Sequence, residues 1–161
     1  MRIFLLRHGI AEAGKPGVSD RDRALVPEGR RKLREVLKIA KLAEVSPSLI
    51  VSSPYRRALE TAGIAAQILG YKGVISNSAA LVPDAAPRQA WDEIRAMQSQ
   101  DSLLLAGHEP LYGQLFAYLL ASPDLLVDFK QGALAAIDVD SFGPQPRGIL
   151  RWHLVPKLAG D

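Results

Sequence analysis

Three short apolar runs constrain what this chain can fold into: Ile3-Phe4-Leu5-Leu6, Leu49-Ile50-Val51 and Leu103-Leu104-Leu105-Ala106. Each is too short to make a helix and too uniformly apolar for a strand with one wet face. They read as strands buried on both sides, as in parallel sheets. The stretches between them carry apolar residues at helical spacing: Leu33, Val36, Leu37 and Ala40, then Ala58, Leu59, Ala62, Ala65, Ala66 and Leu69, then Trp91, Ile94 and Met97. A further helix carries Leu111, Leu115, Tyr118 and Leu119. Buried strands alternating with amphipathic helices predict an α/β fold of three layers, α/β/α, with a mostly parallel central sheet. Two later segments, 133–139 and 148–155, alternate more and flank a Gly- and Pro-rich stretch. They read as an antiparallel hairpin at one edge of the sheet. No repeat, low-complexity tract or linker divides the chain, so residues 1–161 are expected to form one domain.

Punctuation residues place the element ends. Pro27 suits a first helical residue, with Glu28 near the positive end of the helix dipole. Ser46-Pro47 ends that helix. Ser53 is expected as the N-cap and Pro54 as the first residue of the second helix, with Gly70 as its C-cap. A weak third strand is placed at 73–76, a loop at 77–86, and helix starts at Pro87 and Pro110. The polar stretch 10–26 is too long for a simple connection, and such loops are often functional or mobile.

Composition removes several function classes. With no cysteine there is no disulfide, thiolate metal site or thiol catalysis. The three histidines, His8, His108 and His153, lack zinc-site spacing. Twenty Lys and Arg against seventeen Asp and Glu leave only +3, without a basic stripe, which argues against nucleic acid. No apolar run approaches the roughly 18 residues of a membrane span. The chain opens straight into a strand rather than a secretion signal, so a cytoplasmic location is expected.

The ends of the three runs carry the chemistry. They are Arg7-His8-Gly9, then Ser52-Ser53-Pro54 leading to Arg57, then Gly107-His108-Glu109. If the strands are parallel, these ends meet at one sheet edge, where open α/β sheets bind ligands. Two arginines and two histidines around one point suit a phosphoryl dianion. The dipole disfavours Arg56 and Arg57 in the first turn of the second helix, which suggests a bound anion there. With neither a carboxylate cluster for magnesium nor a Gly-rich phosphate loop, a histidine nucleophile is the available route, and no metal or cofactor is expected.

These residues resemble the histidine phosphatase superfamily, which includes the phosphoglycerate mutases. Arg7-His8-Gly9 is similar to its signature, and Ser53-Pro54-Tyr55-Arg56-Arg57-Ala58-Leu59-Glu60-Thr61 to its second motif, Ser-Pro-x-x-Arg-Ala-x-x-Thr. Gly107-His108 is similar to the third. The resemblance implies a phosphoglycerate mutase-like fold, His8 as nucleophile, and Arg7, Arg57 and His108 on the phosphoryl group, while Arg56 falls one position off the motif. Gly9 and Glu109 are expected to contribute to substrate binding, Glu109 through its backbone N–H. The short length, Arg7-His8-Gly9-Ile10-Ala11-Glu12, Leu25-Val26-Pro27-Glu28-Gly29 and Leu81-Val82-Pro83 look most like the SixA-type phosphohistidine phosphatases. Val26 departs from that branch's threonine and removes a cap worth about 1 kcal/mol.

Leaving-group chemistry points the same way. An alkoxide leaves poorly without a general acid, whereas neutral imidazole leaves readily, its conjugate acid having a pKa of about 6.5. The mutase-like members use a glutamate donor; the matching region here, 81–87, offers only Asp84. The expected substrate is therefore a phosphorylated signalling protein carrying a histidine phosphotransfer domain. A phosphatase for small phosphoesters and a non-catalytic phospho-ligand binding module are the alternatives. His153, in an alternating strand, is read as structural.

Overall fold

The computed structural model describes residues 1–160. Six strands form one sheet: β1 (Arg2–Arg7), β2 (Leu49–Ser52), β3 (Ser76–Asn77), β4 (Ser102–Gly107), β5 (Leu134–Asp138) and β6 (Ile149–Leu154), in the order β3-β2-β4-β1-β5-β6. The first four strands are parallel, and β5 and β6 complete the sheet as an antiparallel edge. Four helices cover it: α1 (Pro27–Leu42), α2 (Arg56–Leu69), α3 (Pro87–Ala96) and α4 (Leu111–Leu119).

The uninterrupted apolar runs are explained by two cores. Successive strand side chains point to opposite faces, and both faces are covered. Ile3, Leu5, Val51, Leu103 and Leu105 pack against α3 and α4 with Trp91, Ile94, Leu115 and Phe116. Phe4, Leu6, Ile50, Leu104 and Ala106 pack against α1 and α2 with Leu33, Val36, Leu37 and Ala65. Each such leucine or isoleucine, fully buried, contributes roughly 1.5–3 kcal/mol. The register then sets the site: Arg7 lies opposite Gly107 and Ser52 opposite Ala106, so the three strand ends stand side by side.

Three local expectations are corrected. The second helix starts at Arg56 with Tyr55 as its N-cap, not at Pro54 with Ser53; the Ser53 hydroxyl is engaged with a histidine instead. The third strand is the two-residue β3, which overlaps the expected 73–76 only at Ser76 and, at the exposed edge, pairs with Val51 and Ser52 alone. Pro110 is the N-cap of α4 rather than its first helical residue. Val26 caps α1 without a side-chain hydrogen bond, as its apolar side chain requires, and Gly70 closes α2 in the left-handed conformation that favours glycine.

Candidate active site

At the carboxyl ends of β1, β2 and β4 the buried polar residues include His8, Ser52, Ser53, Arg57, Thr61 and His108. His8 is only 5% exposed and Arg57 3%, so each needs partners inside the protein. His8 Nδ1 lies 2.7 Å from the Gly9 carbonyl. A carbonyl can only accept, so Nδ1 carries the proton and Nε2 keeps its lone pair. That lone pair faces Arg57, whose Nε–H donates to it over 3.3 Å. Gly9 is held in turn, its N–H donating to the Thr61 hydroxyl at 3.2 Å. Thr61 donates to the Arg57 carbonyl at 2.7 Å. One threonine thus ties the loop carrying His8 to the helix carrying Arg57. Both backbone polar groups of Gly9 have partners within the protein.

Gly29, in the first turn of α1, packs against this loop. A Cβ there would fall 2.2 Å from the Ile10 carbonyl oxygen, so only glycine allows the approach.

His108 is fully buried, with its ring centroid 5.0 Å from that of His8. Its Nε2 lies 2.8 Å from the Ser53 hydroxyl, which also accepts the Tyr55 N–H. We assign the hydroxyl proton to Nε2, which puts the ring proton on Nδ1. That atom is buried and has no partner within the protein, as expected of a donor reserved for a ligand. Arg7 donates from Nη1 to the Phe129 carbonyl, and its Nε is buried without a partner.

Burial holds the His8 pKa down at about 4, against the lift from the Gly9 carbonyl and helped by the charges of Arg57, Arg7 and Arg23. Burial also takes His108 to about 2, with His8 and the same three arginines adding to the effect. Both rings therefore bind fewer protons folded than unfolded. The folded state should lose stability as pH falls below the ordinary histidine value of 6.5, the His8 contribution running down to about 4. Ring 15N NMR should find His8 as the neutral Nδ1–H tautomer until the pH nears 4; a midpoint near 6.5 would contradict the geometry.

Other sequence candidates fall differently. Arg56 is exposed and pairs with Glu60 at 3.1 Å, outside the site. Glu109 is half-buried with Oε1 unpartnered, and burial raises its pKa against the pull of the Gly113 N–H and the Arg7 charge. Asp84 is exposed on the connection between β3 and α3 and joins none of these contacts. His153 is a core-edge residue, its ring 4.9 Å from Phe129 and 5.9 Å from Phe116.

Sequence reasoning missed Ser53 as a partner of His108, and it missed Asp20 and Arg23. Arg57 Nη1 donates to the Asp20 carbonyl at 2.6 Å and Nη2 to its carboxylate at 2.9 Å. The other carboxylate oxygen lies 2.8 Å from Arg23 Nε. The only signal in the sequence was the charge density of residues 10–26, which did not single out either residue.

Residues 3–79 match the family model of the histidine phosphatase superfamily (branch 1), which covers the first two motifs. Among curated proteins none is significantly similar in sequence. A SixA structure described as a protein histidine phosphatase, solved with tungstate, superposes with a TM-score of 0.87 at 24% identity, covering 99% of this chain and 100% of that one. An Agrobacterium tumefaciens structure described as SixA gives 0.84 at 26% identity, covering 96% and 97%. A mycobacterial glucosyl-3-phosphoglycerate phosphatase gives 0.72 at 16%, covering 92% and 96%. The resemblance drawn from the motifs therefore stands, and the fold is the phosphoglycerate mutase-like one.

Proposed function

We propose that this chain, whose likeness to the histidine phosphatase superfamily runs from its motifs to its fold, is a metal-independent phosphatase that removes phosphate from histidine on a signalling protein. The observation carrying the mechanism is the fixed tautomer of His8: Nδ1–H on the Gly9 carbonyl at 2.7 Å, with Nε2 bare beside the Arg57 guanidinium.

His8 Nε2 attacks phosphorus in line, and the bond from phosphorus to the substrate nitrogen breaks as the new one forms. The substrate imidazole, protonated on its far nitrogen, departs neutral with the electron pair. Phosphorylated on Nε2 and protonated on Nδ1, the His8 ring becomes cationic, and the Gly9 carbonyl stabilises it. Arg7, Arg57 and the His108 Nδ1–H balance charge on the equatorial oxygens. Water then attacks phosphorus, the bond to Nε2 breaks, and the water's proton leaves to solvent. The surrounding guanidinium groups repel a metal cation, and among the described residues no His, Cys, Asp and Glu cluster could hold one.

The phosphohistidine preference is supported by Asp20 and Asp84, carboxyl groups on the connections 10–26 and 81–87, neither of which is placed as an acid. Burial raises the pKa of Asp20, but hydrogen bonds and charge from Arg57 and Arg23 outweigh it and keep the carboxylate ionised. Asp84 stands outside the contacts of the site. A substrate needing no general acid fits such a site, and the SixA structures named above share its fold. A cytoplasmic protein with a phosphorylated histidine phosphotransfer domain is the proposed partner. Among the described residues no helix is long and apolar enough to cross a membrane.

A substrate panel tests the specificity. The phosphorylated phosphotransfer domain should turn over faster than sugar phosphates, and Asp84→Asn should leave its rate unchanged. Faster ester turnover with strong dependence on Asp84 would favour the small-phosphoester reading, for which the shared fold of the mycobacterial phosphatase speaks.

A further inference from the structure

We infer that Asp20 is a positioning residue for phosphoryl transfer: it grips one edge of the Arg57 guanidinium and thereby aims the other edge at the phosphorus. The inference rests on the proposed role of Arg57 as a phosphoryl ligand.

A guanidinium has five N–H groups in a rigid plane. Asp20 takes one from each terminal nitrogen, through its carbonyl on Nη1 and its carboxylate on Nη2. This engages the end of the fork. The remaining edge carries Nε–H and the second N–H of Nη2, and its Nε–H already points at His8 Nε2. Phosphorus bonded to Nε2 would bring an equatorial oxygen to that same edge, where two parallel N–H groups can hold a phosphate bidentately. Gripped at its end, the guanidinium cannot rotate about its long side chain, so its entropy is lost before substrate arrives. The stacking neighbour is Tyr55, whose ring centre lies 5.2 Å from Arg57 Cζ.

The segment bearing Asp20 is built to hold it still. Ala11 and Leu25 form an antiparallel bridge across the loop base. The Glu12 N–H donates to the Ala24 carbonyl at 2.9 Å, and the Arg23 guanidinium donates to the Glu12 carbonyl at 2.8 Å. Ser19 caps the 3-10 turn Asp20–Asp22 by accepting the Arg21 N–H. The long loop expected from sequence is therefore a braced frame whose tip reaches Arg57.

Charge balance is the second contribution. Arg7, Arg23 and Arg57 all act on the two neutral imidazoles. A carboxylate bridging Arg57 and Arg23 lets them stay close without substrate. This also answers the unfavourable placing of two arginines in the first turn of α2: Glu60 supplies the anion for Arg56, and Asp20 supplies it for Arg57.

Steady-state kinetics with p-nitrophenyl phosphate, in single and double variants, tests the inference. Asp20→Ala should lower kcat on the order of tenfold with little change in KM, because the edge facing phosphorus is misaimed rather than removed. Asp20→Asn, whose amide oxygen can still accept from Nη2, should recover most of the rate. In an Arg57→Ala background Asp20→Ala should add nothing, whereas a role confined to loop folding would still add its cost. An unchanged or raised kcat in Asp20→Ala, with tighter competitive inhibition by inorganic phosphate, would overturn the inference by making the carboxylate a competitor for Arg57. That result would leave the phosphatase reading standing if Arg57→Ala is itself impaired. If Arg57→Ala turns over like wild type, both readings fall together.

Discussion

His8→Ala is expected to lower turnover by roughly four orders of magnitude or more and to abolish transfer of labelled phosphate to the protein in an acid-free quench. Nothing else in the site offers a bare imidazole nitrogen: the ring of His108 is engaged by Ser53 through Nε2, and its remaining nitrogen serves as a donor. The substitution removes one acceptor for the Arg57 Nε–H and one donor for the Gly9 carbonyl. Both face the site, where water can replace them. Tm should therefore stay within about 5 °C of wild type, which separates chemistry from folding. Label that persists on the alanine variant would place the nucleophile elsewhere, and full turnover without any label would exclude a covalent intermediate.

The second large effect belongs to Arg57. Arg57→Ala should cost roughly a thousandfold in kcat/KM, in the range seen when a preorganised transition-state donor is removed. Arg57→Lys should recover little. An ammonium is a point charge without a planar fork, so it cannot meet His8 Nε2, the Asp20 carbonyl and the Asp20 carboxylate at once as Arg57 does. A lysine variant with near-normal kcat/KM would mean that only charge matters at this position. The substitution also unties the Asp20–Asp22 turn from α2, so a stability measurement must accompany the kinetics; a modest drop in Tm with a collapsed rate is the expected pairing.

The readable part of this molecule was the part governed by short-range rules. Apolar runs such as Ile3–Leu6 identify strands covered on both faces because nothing else tolerates them, and prolines 27 and 87 and Gly70 mark helix ends through fixed φ or its absence. The three polar strand ends then specify a common edge once the strands are parallel. Ser53 misled because its hydroxyl is equally suited to capping a helix and to holding an imidazole, and only the neighbouring strand decides between them. Thr61 stood in the second motif, but its link to the Gly9 N–H joins residues far apart in the chain. Asp20 was harder still: it belongs to an irregular loop with neither periodicity nor motif, and its partner lies on another element. Asp84 is a plausible residue type at a plausible place, and in the fold it is exposed.

The strand order has a consequence for how this chain is made. The proposed nucleophile His8 directly follows β1, whose two neighbours in the sheet are β4 and β5. During synthesis the ribosome therefore delivers His8 well before both of the strands that flank β1. A nascent chain that stops short of β4 has an unpaired hydrophobic ribbon and no assembled phosphate cradle. Activity should switch on late and all at once, when the C-terminal half emerges and the ribbon is captured between its two partners.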